Sequence, residues 1–318
     1  MRIALLGQQQ FGKAVLEAFM ARGDTVAGVF CAPDKPGMAI DPLKTACQLH
    51  GIPLYQLPSL RTPEAQRCLQ ALGADLGVMA YVLQFAPETF TSIPVYGTIQ
   101  YHPSLLPRHR GPSSVNWPII LGESETGLTV FRPTDGLDEG PVVLQKRTSI
   151  GPAETSGQVY FGRLFPMGVE ALLEASLMIV HHGAAAVAQD PSIASYEGWC
   201  RTEESRINWH HHADRVFDLI RGCDPAPGAW TAFRDRRLQL FDAKKIPVRT
   251  FADIGCGVGT VARADDNGLV LAGHGANIEI KRVRYDGGAK QSAGEFCRQH
   301  GIVVGSAMDT RVEPQLDR

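Results

Sequence analysis

Two periods of hydrophobic and polar positions alternate along the first half of the chain. Short apolar runs predict strands, whereas apolar positions spaced three or four residues apart predict helices. The predicted strands are Arg2–Leu6, Thr25–Phe30, Ile52–Tyr55, Asp75–Ala80 and Gly97–Tyr101, and the predicted helices are Phe11–Arg22, Pro42–His50 and Pro63–Leu72. This alternation predicts an α/β fold with a Rossmann-like, doubly wound and mostly parallel sheet.

The pattern changes in the second half. Residues 141–150 predict another strand, Ser156–Gly183 a long amphipathic helix, and the polar stretch Asp190–Glu204 a linker. A short helix at Ala213–Arg221 precedes β-rich runs at Ala229–Phe233, Leu238–Ala243, Thr260–Arg263, Leu269–Ala272 and Ile278–Tyr285. Such closely spaced strands predict a smaller C-terminal OB-like β-barrel. We expect a first domain over residues 1–190, a second over 205–305 and a loose tail over 306–318.

Bulk composition narrows the classes of function. The 318 residues carry a formal net charge of -2, so we expect no general attraction to nucleic acid or to a membrane surface. The sequence contains no run of about 18 apolar residues that would predict a membrane span, and because a predicted strand starts at Arg2 we expect no signal peptide. The seven cysteines are odd in number and contain no CxxC pair. This favours reduced thiols in a cytoplasmic protein over disulfides or a metal site.

A histidine at the end of a predicted strand is the first candidate for chemistry. His102 precedes Pro103, and two acids among glycines, Asp135 and Asp138, follow later in the chain. A carboxylate on one imidazole nitrogen fixes the tautomer and raises the basicity of the other, which suits a general base acting at a carbonyl. From these residues alone, a structural and a catalytic His102 are equally compatible, and either acid is also a common turn residue.

Longer motifs resemble a known family. They are His102, Ser104-Leu-Leu-Pro107, Arg110-Gly111 and Gly136-Leu-Asp-Glu-Gly140, with further matches such as Tyr196-Glu-Gly198, Ile207-Asn-Trp209 and Pro227-Gly-Ala-Trp-Thr231. The set resembles the enzymes that use 10-formyltetrahydrofolate, including methionyl-tRNA formyltransferases, and in particular the N-terminal hydrolase domain of 10-formyltetrahydrofolate dehydrogenase. The resemblance covers nearly the whole chain. It implies 10-formyltetrahydrofolate as the formyl donor, with no metal and no NADP bound by this chain.

The resemblance also assigns roles to residues. By position, His102 is the base and Asp138 its partner, while Gln100 stands where the transferases have an asparagine that polarises the formyl oxygen. Gln100 keeps an amide donor but adds a methylene, and a strand residue pointing elsewhere is the alternative. The folate-binding residues that the resemblance implies are Met79, Ala80, Tyr81, Leu83, Gln84, Phe85, Asp135, Gly136 and Leu137. Without the family, residues 79–85 are an ordinary strand end and loop.

Three further clusters in the sequence resemble binding sites. Arg108, His109 and Arg110 form either a solvated cationic turn or a site for the glutamate tail of folate. The glycine-rich stretch Asp253–Gly259 resembles a methyltransferase loop, but β-like sequence follows it where a helix is required. Adjacent residues such as His210 and His211 point in different directions on a helix, so we expect no metal site there.

The preferred hypothesis is a hydrolase that converts 10-formyltetrahydrofolate to tetrahydrofolate and formate, and the departure from asparagine at Gln100 favours it. The first alternative is a formyltransferase that passes the formyl group to an amine on a sugar, a peptide or methionyl-tRNA. A folate-binding module without catalysis is the second alternative.

Overall fold

A computed structural model describes residues 1–183, 185–248 and 257–308 of the chain. The strands are β1 Arg2–Gly7, β2 Thr25–Phe30, β3 Leu54–Tyr55, β4 Leu76–Ala80, β5 Thr98–His102, β6 Glu125–Phe131, β7 Val142–Ser149, β8 Trp230–Phe233, β9 Arg236–Pro247, β10 Val261–Asp265, β11 Gly268–Leu271, β12 Ala276–Tyr285 and β13 Lys290–Ser292. The helices are α1 Gln9–Ala21, α2 Pro42–His50, α3 Pro63–Ala71, α4 Glu88–Thr91, α5 Asn116–Ile120, α6 Ser156–Val159, α7 Phe165–His182, α8 Ala213–Gly222 and α9 Ala293–His300. A π-helical turn, Tyr160–Leu164, joins α6 to α7.

The chain divides into two compact units. The first comprises Met1–Ser114, Thr126–Thr148 and Phe161–Glu197, and the second comprises Val115–Glu125, Ser149–Tyr160 and the chain from Gly198 onward. Two short segments from the middle of the sequence therefore group with the second unit. The domain boundaries expected at residues 190 and 205 stay a prediction. Of the expected tail, residues 309–318 lie outside the described residues.

The first unit contains a seven-stranded mixed sheet in the order β3-β2-β1-β4-β5-β6-β7. The neighbouring strands from β3 to β5 are parallel, and β6 runs antiparallel to β5. This confirms an α/β sheet with parallel strands. Because parallel strands end at one edge, Gly7, Ala80 and His102 lie at the same carboxyl edge, where open α/β sheets bind ligands.

Strand β6 was missed by the sequence analysis. Six of its seven residues are buried, so the strand lacks the polar and apolar alternation of a half-exposed strand. It also contains Gly127, which normally weakens a strand assignment. The glycine is required, because a Cβ atom there would lie 2.1 Å from the carbonyl oxygen of Lys146.

Helix α7 packs its buried face into the core of the first unit, where Ala171, Leu172 and Ala175 have no exposed surface. By length and composition alone, the helical stretch Ser156–His181 would be long and apolar enough to cross a membrane. Its burial against the sheet, and the ion pair of 2.6 Å between Glu174 Oε2 and Lys146 Nζ, are typical of a core helix in a globular domain.

The second unit contains a separate antiparallel sheet in the order β10-β11-β12-β9-β8, with β13 paired to β12. Its core includes Trp209, Leu240 and Phe296, none more than 1% exposed. The separate antiparallel sheet confirms part of the prediction, whereas an OB-like barrel stays a prediction.

Strand β6 supports the turn that follows β5. Thr129 lies opposite His102 in the sheet, and its side chain is completely buried. Its hydroxyl donates to Ser104 O at 2.7 Å and accepts from Leu106 N at 3.1 Å. One buried hydroxyl therefore satisfies two backbone groups of the turn, which would otherwise carry a desolvation cost.

Replacing this hydroxyl should destabilise the protein. We expect Thr129→Val to lower the free energy of unfolding by about 2–6 kcal/mol, since it leaves two buried backbone groups unpaired at about 1–3 kcal/mol each. The measurement is urea unfolding at equilibrium. Thr126→Val is the matched control, because Thr126 lies on the same strand with a buried hydroxyl that has no hydrogen-bond partner among the described residues. Equal losses in the two variants would contradict the role of Thr129.

Candidate functional site

Strained backbone marks the carboxyl edge of the first sheet. Gln9, Tyr81, His109 and Asp138 adopt positive φ angles of 60°, 63°, 57° and 51°. Gln9, Tyr81 and His109 lie in the segments that follow the parallel strands β1, β4 and β5, and Asp138 lies in the loop after the antiparallel β6 with its carboxylate 3.7 Å from His102. Left-handed conformations are uncommon for residues with a Cβ atom and persist only where surrounding contacts enforce them. Their position beside one edge of the sheet makes this edge the candidate functional site.

His102 has a defined tautomer at this edge. The imidazole is 6% exposed, and its Nε2 lies 2.8 Å from the carbonyl oxygen of His109. A carbonyl oxygen only accepts hydrogen bonds, so Nε2 carries the hydrogen and Nδ1 carries the lone pair of the neutral ring. The sequence predicts that the carboxylate of Asp138 fixes the tautomer. The structure assigns that role to a backbone carbonyl.

Asp138 faces the lone pair of His102. Its Oδ2 lies 3.7 Å from His102 Nδ1, which is too long for a direct hydrogen bond but allows a water-sized group to contact both atoms. Oδ2 also accepts a hydrogen bond of 3.0 Å from Gly111 N, and the side chain of Gln100 turns toward Oδ1 with its Nε2 3.5 Å away. The sequence-predicted His102, Asp138 and Gln100 therefore meet in one place, and Gln100 does not point elsewhere.

The other acid of the pair has a different contact. Asp135 Oδ1 accepts a hydrogen bond of 2.8 Å from the backbone N–H of Glu88, at the start of α4. An acid at a helix N-terminus accepts from a backbone N–H that has no partner in the helix, and its negative charge interacts favourably with the helix dipole. Asp135 thus connects its loop to α4 by a hydrogen bond. Leu137, in the same loop, is 57% exposed. The roles of Asp135, Gly136 and Leu137 in folate binding stay predictions.

The segment after β4 offers backbone and apolar surface. The side chains of Met79 and Ala80 are buried, which leaves only their backbone groups for a ligand at this edge, whereas Tyr81, Leu83 and Phe85 are each between 43% and 57% exposed. A contact with flat ring systems would cover such exposed apolar groups. Gln84 holds the loop in place, because its Nε2 donates to Leu57 O at 2.8 Å.

The three cationic residues of the turn, Arg108, His109 and Arg110, have different environments. His109 is only 3% exposed, and its Nδ1 lies 3.1 Å from Glu197 Oε2. Arg110 donates its Nη2 to Gln189 Oε1 at 2.8 Å. Only Arg108 is exposed. The expectation of a solvated cationic run is therefore wrong for two of its three members, because partners distant in sequence bind them.

Other candidate groups do not form a second site. Burial raises the pKa of the Cys31 thiol, next to the end of β2, to about 12, so it stays protonated at neutral pH and is a poor nucleophile. His212 caps α8 by accepting from Asp214 N. Within the three described ranges, no group of three or more His, Cys, Asp or Glu residues is placed to hold a metal ion. Of the glycine-rich stretch, residues 253–256 lie outside the described residues, and the chain from Gly257 continues into β10, not a helix.

Comparisons with known proteins find the same family over both units of the chain. The formyl transferase family profile matches residues 1–175, and the profile of the formyl transferase C-terminal domain matches residues 200–301. Cytosolic 10-formyltetrahydrofolate dehydrogenase of Xenopus laevis is 36% identical over 309 residues, covering 94% of this chain and 34% of its own length. This chain thus spans about a third of that relative. Methionyl-tRNA formyltransferase of Syntrophus aciditrophicus is 31% identical over 311 residues, covering 96% of this chain and 98% of its own.

A solved structure shares the fold. The sugar 3N-formyl transferase WlaRD, crystallised in the presence of dTDP and 5-N-formyl-THF, superposes with a TM-score of 0.68 at 16% identity. The match covers 88% of this chain and 97% of that chain. At this identity the likeness concerns the fold alone.

The close approach at Gly111 is testable. Its φ is 109°, and a Cβ atom there would lie 2.3 Å from the carbonyl oxygen of Glu197. We expect Gly111→Ala to lower the free energy of unfolding by about 3 kcal/mol, from a positive φ and an added steric clash. Gly37→Ala is the control, because Gly37 has a positive φ and open space around it, and should cost only about 1 kcal/mol. Indistinguishable urea-unfolding curves for the two variants would rule out the packing at Gly111.

Proposed function

The chain belongs to the formyltransferase family, and we propose that it hydrolyses 10-formyltetrahydrofolate to tetrahydrofolate and formate. The observation that carries the proposal is the pair formed by His102 Nδ1 and Asp138 Oδ2, which lie 3.7 Å apart. The opposite nitrogen of His102 is bound to a carbonyl, so the lone pair of Nδ1 is directed at the same small space as the carboxylate. A water molecule that contacts both atoms would be both oriented and activated.

The proposed reaction balances without a further reactant. Water attacks the formyl carbon as its proton passes to His102 Nδ1, and the formyl oxygen becomes an oxyanion. The oxyanion then collapses, the bond between carbon and N10 breaks, and the imidazolium returns the proton to N10. Formic acid and tetrahydrofolate are the products, and the acid ionises in water. Asp138 stabilises the transient imidazolium through its negative charge.

Gln100 is the candidate donor to the oxyanion. Its amide group lies beside Asp138 on the strand that ends in His102, so a short side-chain rotation moves Nε2 between the carboxylate and a substrate oxygen. One such donor contributes about 3 kcal/mol of transition-state stabilisation in acyl-transfer enzymes.

For the folate itself, we propose that the backbone of residues 79–81 reads the polar edge of the pterin ring. The exposed side chains of Tyr81, Leu83 and Phe85 would cover its faces. The cation over Phe85, the guanidinium of Arg61 at 4.6 Å from the ring centre, adds positive charge beside this surface. Positive charge near the site favours the approach of an anionic ligand such as a folate.

Formyl transfer to an amine is the second candidate function. The match to methionyl-tRNA formyltransferase favours it, because that relative corresponds to this chain over 98% of its own length. The same base would then deprotonate an amine in place of water, and the acceptor would be an amino sugar, a peptide or methionyl-tRNA. A net charge of -2 favours a small acceptor over a nucleic acid. A cytoplasmic location, an OB-like second domain and the absence of NADP chemistry from this chain remain parts of the proposal.

Hydrolysis and transfer differ in whether the protein cleaves 10-formyltetrahydrofolate when no amine acceptor is present. We expect the purified protein to release formate from it without any acceptor, and we expect His102→Ala or Asp138→Asn to lower kcat by about a hundred- to ten-thousandfold with KM changed only a few-fold. His50→Ala, which removes an exposed histidine at the end of α2, is the control.

Consumption of 10-formyltetrahydrofolate that requires an added amine, and that yields the formylated amine without formate, would replace hydrolysis with transfer as the function. Full turnover by the His102 variant would overturn the assignment of the base in both. Binding of folate without turnover under either condition would leave a binding module as the remaining function.

A further inference from the structure

The segment of residues 189–197, here called the strap, contacts both halves of the candidate site. It is irregular apart from a single 3₁₀ turn, and the sequence analysis placed most of it in a linker. Its backbone nevertheless runs alongside the turn after β5. Ser195 N donates to Pro107 O, Arg110 N donates to Ser195 O, and Glu197 N donates to Arg110 O, each at 3.1 Å. The strap is therefore bound in register to the turn that carries His109.

Two side chains of the strap fix the conformation of His109. Ser195 Oγ accepts from His109 N at 2.9 Å and donates to Glu197 Oε1 at 2.9 Å. Glu197 Oε2 lies 3.1 Å from His109 Nδ1, and the carboxylate is only 18% exposed. Both oxygens of one half-buried carboxylate are thus engaged around a residue with a φ of 57°. These contacts aim the carbonyl of His109 at His102 Nε2.

A third side chain of the strap holds the opposite half of the site. Gln189 Nε2 donates to the carbonyl oxygens of Asp138 and Gly140, both at 2.8 Å. Its Oε1 accepts from the guanidinium of Arg110. One amide group therefore cross-links the loop of Asp138 to the turn after β5. The side chains of the strap fix both members of the His102 and Asp138 pair from outside the sheet.

We infer that Glu197, Ser195 and Gln189 are positioning residues that keep His102 in its Nε2–H tautomer and Asp138 at a fixed distance from Nδ1. The inference rests on the proposed role of His102 as the base. In neutral imidazole the hydrogen bond at one nitrogen selects the tautomer. If the carbonyl of His109 turns away, the hydrogen moves to Nδ1, where Asp138 accepts it, and the lone pair that would receive the proton of water is lost.

The test is Glu197→Gln. A glutamine offers one acceptor and one donor where the carboxylate offers two acceptors, so the contact with either Ser195 or His109 is lost or reversed. We expect kcat for formate release to fall about ten- to a hundredfold, as for a small displacement of a reacting group, with KM for the folate changed less than about twofold. In ¹⁵N NMR spectra of the neutral His102 ring, recorded without substrate, the share of the Nδ1–H tautomer should rise above that of the wild type.

Ser195→Ala is a second, smaller change that should shift kcat and the tautomer in the same direction. Glu174→Gln is the matched control, since Glu174 is a partly exposed acid on α7 that pairs with Lys146. A folded Glu197 or Ser195 variant with the wild-type tautomer and unchanged kcat would overturn the inference. So would a loss of activity explained wholly by a smaller folded fraction.

The NMR measurement separates this inference from the proposed function. If the wild-type protein releases no formate but Glu197→Gln still changes the His102 tautomer, the proposed function fails and the positioning role stands. If formate is released and the release depends on His102, but Glu197→Gln leaves the His102 tautomer unchanged, the proposed function stands and the positioning role fails.

Discussion

The hydrogen bond from His102 Nε2 to the carbonyl oxygen of His109 is the contact on which the candidate site depends. It decides which imidazole nitrogen bears the lone pair, and therefore which side of the ring acts as a base. A direct bond between Asp138 and Nδ1 would require the hydrogen on Nδ1 and would therefore remove that lone pair. At a separation of 3.7 Å the two atoms form no direct hydrogen bond, but one reactant can contact both. The acid acts through its charge, and the backbone acts as the orienting group.

This arrangement requires strained backbone around the site. Non-glycine residues in left-handed conformations, among them His109 and Asp138, lie beside this edge of the sheet, and each costs of order 1–3 kcal/mol that other contacts must offset. Those contacts come from three directions. Thr129 on β6 holds the start of the turn, Gly111 permits a close approach of Glu197, and Gln189 closes the network from the far side. The strain is local, whereas the bonds that enforce it reach up to 88 residues along the chain.

Not every residue of the family motifs has chemistry to perform. In the second unit, the indole of the buried Trp209 donates to Thr231 Oγ1 at 3.0 Å, and Ile207 N donates to Trp230 O at 2.8 Å. These residues satisfy backbone and hydroxyl groups inside that unit. A motif that spans the chain therefore combines residues that hold the fold with a smaller set that forms the site at the sheet edge.

The amino-acid sequence by itself determined the alternation of strands and helices, the parallel sheet, the position of His102 at a strand end, and the small set of residues that includes Asp138 and Gln100. Local periodicity and short-range motifs carry that information. It did not reveal β6, because a strand buried on both faces lacks alternation, nor the strap, because a polar irregular segment looks the same whether it is free or bound. The choice of tautomer, the contact of Asp135 with Glu88, and the burial of His109 were decided only by the tertiary structure. Each depends on hydrogen bonds between residues far apart in the chain, and such partners leave no periodic trace in the sequence.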